Sequence, residues 1–225
     1  MSQSRDMRPA VSHESSQPLL SVNGVSKSYR GRRVLVEVTL EVQRGQVVAL
    51  IGENGTGKTT LLKICAGLIP PDSGEVIRRG RVGYCPQTPG LMELLTADEH
   101  LQLFDRAPAM KNVDGLFQGR EILGRLGFPL DASRKVVKTL SGGTGQKVNL
   151  AIAMLGEADI LLLDEPYQGF DQGTYVNFWD FADDWRQRGR AVIVVTHLLN
   201  ELDRVDQVVE LRSEKMVLGP HGGSR

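Results

Sequence analysis

Gly52-Glu-Asn-Gly-Thr-Gly-Lys58-Thr59 matches the pattern G-x-x-x-x-G-K-[ST] and is the most informative run of the chain. Glycines allow backbone N–H groups to wrap an anion, and a helix that starts at the loop directs its positive end at that anion. Lys58 would add a mobile cation for the outer phosphates of a nucleotide, and the Thr59 hydroxyl could bind Mg²⁺. A short β-branched run precedes the loop and a helical pattern follows it, which favours a phosphate-binding loop over a glycine-rich turn with an incidental lysine.

Apolar strand-like runs alternate with helical segments on both sides of this loop. The alternation predicts an α/β fold with a mixed, mostly parallel core sheet. The first two strands alternate apolar and polar residues, which is typical of half-buried antiparallel strands and predicts an antiparallel β subdomain. The predicted strands are 19–25, 34–42, 46–51, 75–77, 81–84, 160–164, 191–196, 206–211 and 215–218, the last two forming a hairpin, and the predicted helices are 58–66, 141–155 and 173–188.

The middle of the chain interrupts this sheet. From residue 96 to about 137 the pattern is helical, so we expect an inserted helical subdomain of about residues 90–157 within a single domain spanning 19–219. Residues 1–18 are rich in Ser, Gln, Arg and Pro and almost free of aliphatic residues, which predicts a disordered N-terminal segment. Residues 220–225 are expected to form a C-terminal tail.

Two carboxylates, Asp164 and Glu165, end the apolar run of residues 160–163. In parallel sheets, ligands gather at the carboxyl ends of the strands. Asp164 would hold Mg²⁺ directly or through water, and Glu165 would polarise a water for attack on a γ-phosphate. Taken alone, such a run is more often a plain exit from a strand into a loop. The phosphate-binding loop upstream favours the functional interpretation.

A second candidate anion site is Leu140-Ser-Gly-Gly143, which precedes a predicted helix. Ser141 and the amides of Gly142 and Gly143 would place a hydroxyl and bare N–H groups at a helix start, which favours an anion. The same residues could form a simple helix cap, and the motif alone leaves the two interpretations about even. One domain has little use for two phosphate sites unless the second serves the nucleotide of another subunit.

Together these motifs resemble those of the ATP-binding cassette (ABC) ATPase family, in the family's order and over about residues 19–218. The phosphate-binding loop is similar to the Walker A motif, residues 160–165 to the Walker B motif with its catalytic glutamate, and residues 140–143 to the signature motif. The resemblance further implies an aromatic that stacks on adenine at Tyr29, a Q-loop glutamine at Gln87, a D-loop aspartate at Asp171 and a switch histidine at His197.

This resemblance implies a P-loop NTPase fold of the ABC type with ATP and Mg²⁺ as its ligands. The implied catalytic residues are Glu165, His197 and Gln87. The implied metal ligands are Thr59, Gln87 and Asp164. The implied nucleotide-binding residues are Tyr29, Gly52, Asn54, Gly55, Gly57, Lys58, Thr59, Thr60, Ser141, Gly142, Gly143 and Asp171.

The chain departs from the family pattern at two positions. Thr144 stands where the signature motif usually has Gln, and Phe170 stands in the D-loop where Leu is usual. Because Ser141 and the Gly143 amide are the phosphate contacts that the family implies, we expect the signature motif to function with Thr144. The family further implies a head-to-tail pair of cassettes, in which Ser141–Gly143 of one subunit clamps the ATP bound on the other.

Composition limits the partners. The 27 basic and 27 acidic residues give a net charge of zero, so net charge does not favour binding to nucleic acid, and no nucleic-acid partner is expected. Cys65 and Cys85 are too few for a disulfide scaffold or a four-cysteine metal site and fit a reducing cytosol. No apolar run reaches membrane-spanning length. We therefore expect a cytoplasmic protein that reaches the inner face of the cell membrane through a separately encoded permease.

Three functions follow from these features. The first is the ATPase subunit of an ABC transporter. We expect an exporter, because no appended regulatory domain follows the last strands. The apolar runs 91–95 and 101–104 could contact the permease or simply pack the helical subdomain. The second is a soluble ABC ATPase that acts on ribosomes or DNA, disfavoured by the single cassette and by the absence of a coiled-coil insertion. The third is a nucleotide-binding regulator without turnover, disfavoured by Glu165 and His197. Five aromatic residues in helix 173–188 favour core packing over base stacking.

Overall fold

The computed structural model describes residues 17–105, 114–196, 203–212 and 215–219. The strands are β1 (Leu20–Tyr29), β2 (Arg32–Val42), β3 (Val47–Ile51), β4 (Ser73–Arg78), β5 (Val82–Cys85), β6 (Ile160–Asp164), β7 (Ala191–Val195), β8 (Gln207–Arg212) and β9 (Lys215–Gly219). The α-helices are α1 (Lys58–Cys65), α2 (Ala97–Asp105), α3 (Gly115–Arg125), α4 (Gly142–Met154) and α5 (Gln172–Gln187). Short 3₁₀ turns occupy Leu130–Ala132 and Val137–Thr139.

The core sheet has six strands in the order β5-β6-β7-β3-β8-β9. All of its pairs are parallel except β8–β9, which is antiparallel. The predicted mixed, mostly parallel sheet is therefore confirmed, and so is the hairpin predicted over residues 206–218. Its first strand, β8, also extends the parallel part of the sheet by pairing with β3.

A separate antiparallel sheet has the order β2-β1-β4. It confirms the predicted antiparallel strands and adds β4 to them. The two short strands predicted at 75–77 and 81–84 therefore enter different sheets, since β4 pairs with β1 and β5 pairs with β6.

The core sheet is buried on both faces, which explains its continuous apolar strands. Val47 and Ala49 of β3 belong to the apolar cluster that includes residues of α4 and α5. Val48 and Leu50, which point the opposite way, belong to a second cluster with α1 and the antiparallel sheet. One run of five residues thus contributes to both layers of the core.

The aromatic residues of α5 pack in the core, as predicted. Phe178, Trp179, Phe181 and Trp185 are all buried, and the Trp185 indole N–H donates to the carbonyl of Ala158 at 3.1 Å. A base-stacking role for these rings is excluded by their burial. Cys65 and Cys85 are buried free thiols, and burial raises the pKa of the Cys65 thiol to about 12.

The carboxyl ends of β3, β5, β6 and β7 meet at one edge of the core sheet, because these strands run parallel. Helices α2, α3 and α4 pack against one another between β5 and β6 in the chain. The predicted limits of the domain stay predictions, since residues 1–16 and 220–225 lie outside the described residues. Among the helices that the structure describes, none combines the length and the apolar character that crossing a membrane requires.

Candidate nucleotide site

The loop of residues 52–57 joins β3 to α1 and depends on its glycines. Gly52 and Gly57 have φ angles of 144° and 99°, which side-chain-bearing residues rarely adopt. A Cβ atom at Gly52 would lie 2.3 Å from the carbonyl oxygen of Leu211, and one at Gly57 would lie 2.7 Å from a methyl group of Leu35. The loop can therefore pass between β2 and β8 only with glycine at both positions. Gly57 also forms the N-cap of α1, whose positive end faces the loop.

Lys58 is the buried cation of this loop, with 6% of its surface exposed. Its ammonium group donates to the carbonyl oxygens of Gly52 at 2.6 Å and Glu53 at 2.9 Å. Burial lowers the pKa of Lys58, and the charges of Glu165 and Asp164 oppose that shift. The ammonium group is thus held by neutral carbonyl oxygens, and a phosphate oxygen would form a stronger hydrogen bond with it because both partners would be charged.

An open cavity of about 340 Å³ lies over the loop, a volume within the range of small-molecule sites. Six of the predicted nucleotide-binding residues line it, together with three residues predicted for catalysis or metal binding and one apolar residue of β2 that the sequence did not point to. They are Asn54, Gly55, Gly57, Lys58, Thr59 and Thr60, then Gln87, Asp164 and Glu165, and finally Val34. The parallel topology has therefore brought the segments that follow β3, β5 and β6 to one cavity, to which β2 adds Val34.

Asp164 ends β6 inside the core, with 1% of its surface exposed. Burial raises the pKa of its carboxyl group, while a hydrogen bond from the side chain of Thr59 opposes that shift. Its Oδ2 atom is buried and has no hydrogen-bond partner among the described residues. An unpaired carboxylate oxygen beside a hydroxyl is a donor set that suits Mg²⁺, so Thr59 and Asp164 fit the predicted metal site.

The predicted metal site does not rely on a dense cluster of acidic side chains. Within the part of the chain that the structure describes, no group of three or more His, Cys, Asp or Glu side chains could hold a metal ion by itself. Mg²⁺ commonly binds to one or two protein oxygens together with water and substrate phosphates. The geometry therefore suits a metal that enters with a nucleotide.

Glu165 and Gln87 meet across the cavity, a contact that the sequence did not predict. The Gln87 side-chain amide donates to Oε2 of Glu165 at 3.2 Å. Glu165 has a φ angle of 48°, a left-handed conformation that is uncommon for residues other than glycine. Its backbone N–H donates to the carbonyl of Val195 at 3.3 Å, so the end of β7 helps to hold this turn. The strained turn directs the carboxylate into the cavity beside Asp164.

Tyr29 lies at the end of β1 and does not line the cavity. Its side chain is 47% exposed, and the ammonium group of Lys27 lies 5.7 Å from the centre of its ring. Val34, on the neighbouring strand β2, reaches the cavity instead. The ring is exposed enough to stack on a base, so the predicted contact with adenine stays a prediction.

Ser141, Gly142 and Gly143 lie at the start of α4 and do not line the cavity either. Ser141 caps the helix, since its Oγ accepts from the backbone N–H of Thr144 at 3.2 Å. The same Oγ lies 2.8 Å from Oγ1 of Thr144, a contact that the sequence did not predict. The two candidate anion sites of the chain are thus separate.

Asp171 and Gly169 place the D-loop against the start of α4. A Cβ atom at Gly143 would lie 2.2 Å from the carbonyl oxygen of Gly169. Asp171 caps α5, because its carboxylate accepts from the backbone N–H and the hydroxyl of Thr174, both at 2.9 Å. These hydrogen bonds lower the pKa of Asp171. In this chain its carboxylate therefore shapes the D-loop.

The predicted switch histidine, His197, lies outside the described residues. The structure describes the strand before it as far as Thr196, whose backbone N–H donates to the carbonyl of Leu50 at 3.3 Å. The role of His197 therefore stays a prediction.

Several known proteins are similar to this chain in sequence. A family model described as ABC transporter matches residues 35–168. An aliphatic sulfonates import ATP-binding protein of Rhodococcus jostii (strain RHA1) is 35% identical over 222 residues, which cover 97% of this chain and 78% of that protein. ABC transporter G family member 20 of Dictyostelium discoideum is 33% identical, and the match covers 88% of this chain but only 29% of that protein.

Solved structures agree with these relatives. A dimeric ATP-binding cassette in a post-hydrolysis state, bound to ADP and phosphate, superposes with a TM-score of 0.79 at 26% identity. The superposition covers 88% of this chain and 98% of that chain. Because a family model spans more than half of its length and its fold brings the Walker A, Walker B and Q-loop residues to one cavity, the chain belongs to the ABC transporter family, as one of its ATPase cassettes.

Proposed function

We propose that this cassette is the ATP-hydrolysing subunit of an ABC transporter, which pairs head to tail with a second cassette on ATP and drives a separate membrane-spanning partner. One observation carries the proposal. The chain has a cavity lined by Lys58 and Thr59 and a separate candidate anion site at Ser141, which does not line that cavity. A single nucleotide needs both sites only if the second is supplied by another subunit.

Binding begins at the glycine loop. The phosphates of ATP would replace the loop carbonyls as partners of the Lys58 ammonium group. Backbone N–H groups of residues 54–60 and the positive end of α1 would surround the same oxygens. Bound Mg²⁺ would neutralise charge on the outer phosphates, with Thr59, Asp164 and Gln87 as the residues placed to hold it. Tyr29 would stack on the adenine ring from the tip of the β1–β2 hairpin.

Turnover depends on the residues around Glu165. Its carboxylate would orient a water for attack on the γ-phosphate, as phosphoryl transfer requires positioning and charge neutralisation more than covalent chemistry. Gln87 already donates to this carboxylate and would sense the presence of the nucleotide. His197, which follows β7, is proposed to stabilise the charge that develops on the γ-phosphate.

The second cassette would supply Ser141 and the amides of Gly142 and Gly143 to the γ-phosphate. Loss of that phosphate would remove the anion that holds the two subunits together, so hydrolysis would open the pair and convert chemistry into motion. The dimeric state of the cassette that superposes on this chain supports the arrangement. Asp171 would keep the D-loop shaped for the same interface by capping α5.

The membrane partner would dock on the helical region, by which we mean the predicted helical subdomain of about residues 90–157. Among the described residues of this region, five large apolar side chains are more than 40% exposed and offer apolar surface to a partner. They are Met92 (55%), Leu94 (78%), Leu103 (44%), Phe104 (42%) and Phe117 (70%). By contrast Leu101 is fully buried and packs in the core, as the simpler interpretation of its run predicted. Such docking would hold the chain at the cytoplasmic face of a membrane.

Export remains our expectation for the direction of transport, although the relative from Rhodococcus jostii is named as an import protein. Transport into or out of vesicles that contain the cassette with its permease measures the direction. Uptake that depends on an external binding protein would contradict export. A cassette that copurifies with ribosomes or DNA and never with a membrane protein would favour the non-transport alternative.

Replacement of Glu165 by Gln tests the ATP-driven pairing. The variant keeps the size of the side chain but cannot act as a base, so we expect it to bind ATP, lose at least about 100-fold of its turnover and accumulate as a dimer in ATP. ATPase assays and analytical ultracentrifugation with and without ATP measure the two effects. Glu121→Gln, on the exposed surface of α3, is the matched control and should remain like the parent. A monomeric Glu165→Gln in saturating ATP would refute the pairing.

A further inference from the structure

Two amide side chains are buried on α4, the helix that begins at the signature motif. Gln146 is 2% exposed and Asn149 is 6% exposed. They lie one helical turn apart, and the Asn149 amide donates to Oε1 of Gln146 at 3.2 Å. Burial of an amide is costly unless its polar atoms find partners, so the groups that these side chains hold indicate what they are for.

Asn149 holds the beginning of the Q-loop. Its Nδ2 atom donates to the carbonyl oxygen of Pro86 at 2.9 Å and lies 3.2 Å from Sγ of Cys85, at the end of β5. The Pro86 carbonyl belongs to the planar peptide unit that leads into Gln87. A side chain of α4 therefore fixes the plane from which the Gln87 side chain departs.

That side chain is the one that reaches the carboxylate of Glu165. Its amide donates to Oε2 of Glu165 at 3.2 Å, at the edge of the cavity. A chain of contacts thus runs from Asn149 through the Pro86–Gln87 peptide unit to Glu165. Because displacement of a reacting group by about 1 Å can slow a reaction by about 100-fold, the support of this peptide unit matters for turnover.

We propose that Asn149 is a positioning residue for ATP hydrolysis, which holds the Pro86–Gln87 peptide unit so that Gln87 meets Glu165. The inference rests on the roles proposed above for Gln87 and Glu165. Since Ser141 caps α4, the helix that would offer an anion site to a second cassette also supports the Q-loop of its own subunit. The alternative is a purely structural bond that satisfies a buried carbonyl.

Replacement of Asn149 by Ala separates these alternatives. The change removes the donor while improving helix propensity, and Asn149→Asp is a second variant that keeps the size of the side chain. We expect kcat for ATP hydrolysis to fall about threefold to tenfold, the effect of one hydrogen bond, with little change in KM because the glycine loop is untouched. Gln118→Ala is the matched control, since it removes a 2.9 Å bond to the backbone N–H of Gly156 in the same helical region, and kcat should not change.

The decisive readout is the double variant with Gln87→Ala. If Asn149 acts through Gln87, Asn149→Ala should lower kcat no further once Gln87 is absent. Losses that multiply would overturn the inference, and so would two Asn149 variants that fail to fold, because the role would then be structural. If Gln87→Ala alone hydrolyses ATP at the parental rate, the role of Gln87 is wrong and the inference falls with it.

Discussion

Thr144 departs from the family pattern, and its hydroxyl contacts the serine of the signature motif. Oγ of Ser141 accepts from the Thr144 backbone N–H and lies 2.8 Å from the Thr144 hydroxyl. If the threonine hydroxyl donates, both lone pairs of the serine oxygen are engaged. The only proton of Ser141 is then free to donate to an anion, which is what a γ-phosphate contact requires.

Thr144→Val should therefore weaken ATP-driven pairing. Valine keeps the β-branched shape, so the helix start is retained while the hydroxyl contact is lost. In the Glu165→Gln background we expect the ATP concentration for half-maximal dimerisation to rise about threefold to tenfold, as the loss of one hydrogen bond predicts. Sedimentation at graded ATP concentrations measures the shift.

Thr144→Ser is the control for this prediction, since it restores the hydroxyl. Binding of a fluorescent ATP analogue to the monomer should be the same in all three proteins, because Thr144 does not line the cavity. An unchanged dimerisation curve for Thr144→Val would show that the Thr144 hydroxyl does not contribute to the contact of Ser141 with ATP.

At the scale of elements, the site is made where strand ends and helix starts meet. Gly143 at the start of α4 and Gly169 in the D-loop approach so closely that a Cβ atom at 143 would lie 2.2 Å from the Gly169 carbonyl oxygen. The signature motif and the D-loop are therefore in direct backbone contact. At Gly145, two residues later on α4, a Cβ atom would meet no atom of another described element within 4 Å.

This pair of glycines gives a matched test. Alanine is favoured over glycine in helices by about 1 kcal/mol, so Gly145→Ala should slightly raise the free energy of unfolding and leave ATPase activity intact. Gly143→Ala should instead push the D-loop away and lower ATPase activity about tenfold or more, while the monomer still binds nucleotide. Urea unfolding and ATPase assays of both variants measure the contrast. Equal ATPase activities of the two variants would mean that displacement of the D-loop does not affect hydrolysis.

The elements also show how far the sequence could predict the structure. Short apolar runs bounded by turn residues predicted β3, β6 and β7. A strand that is buried on both faces is apolar throughout, so its own sequence is enough to identify it. The split of β4 and β5 between two sheets left no such signal, since strand pairing depends on residues distant in the sequence.

The same limit applies within the site. Lys58, Thr59 and Asp164 could be predicted because phosphate and Mg²⁺ binding require these residue types within short, recognisable sequence patterns. Val34 at the cavity and Asn149 behind Gln87 were missed, because each acts through a contact with another element. The sequence places Asn149, a polar residue, on the buried face of the predicted helix 141–155, but it does not indicate which group Asn149 contacts.

At the scale of the molecule, the two core clusters hold the sheet from both sides and leave the helical region with apolar side chains outside the core. Leu94 is 78% exposed and Phe117 is 70% exposed, although both are large apolar residues. Exposed apolar side chains that lie together in a large patch mark contact with a partner. The proposed permease would cover it.

Leu94→Glu and Phe117→Glu test that contact. A buried charge at an interface is costly, so each variant should lower the fraction of the cassette that sediments with permease-containing membranes by about tenfold. ATPase activity of the isolated cassette should not change, because neither side chain lines the cavity. Leu68→Glu, at a 60% exposed position after α1, is the control and should sediment like the parent. Parental sedimentation of both helical-region variants would place the permease contact elsewhere on the cassette.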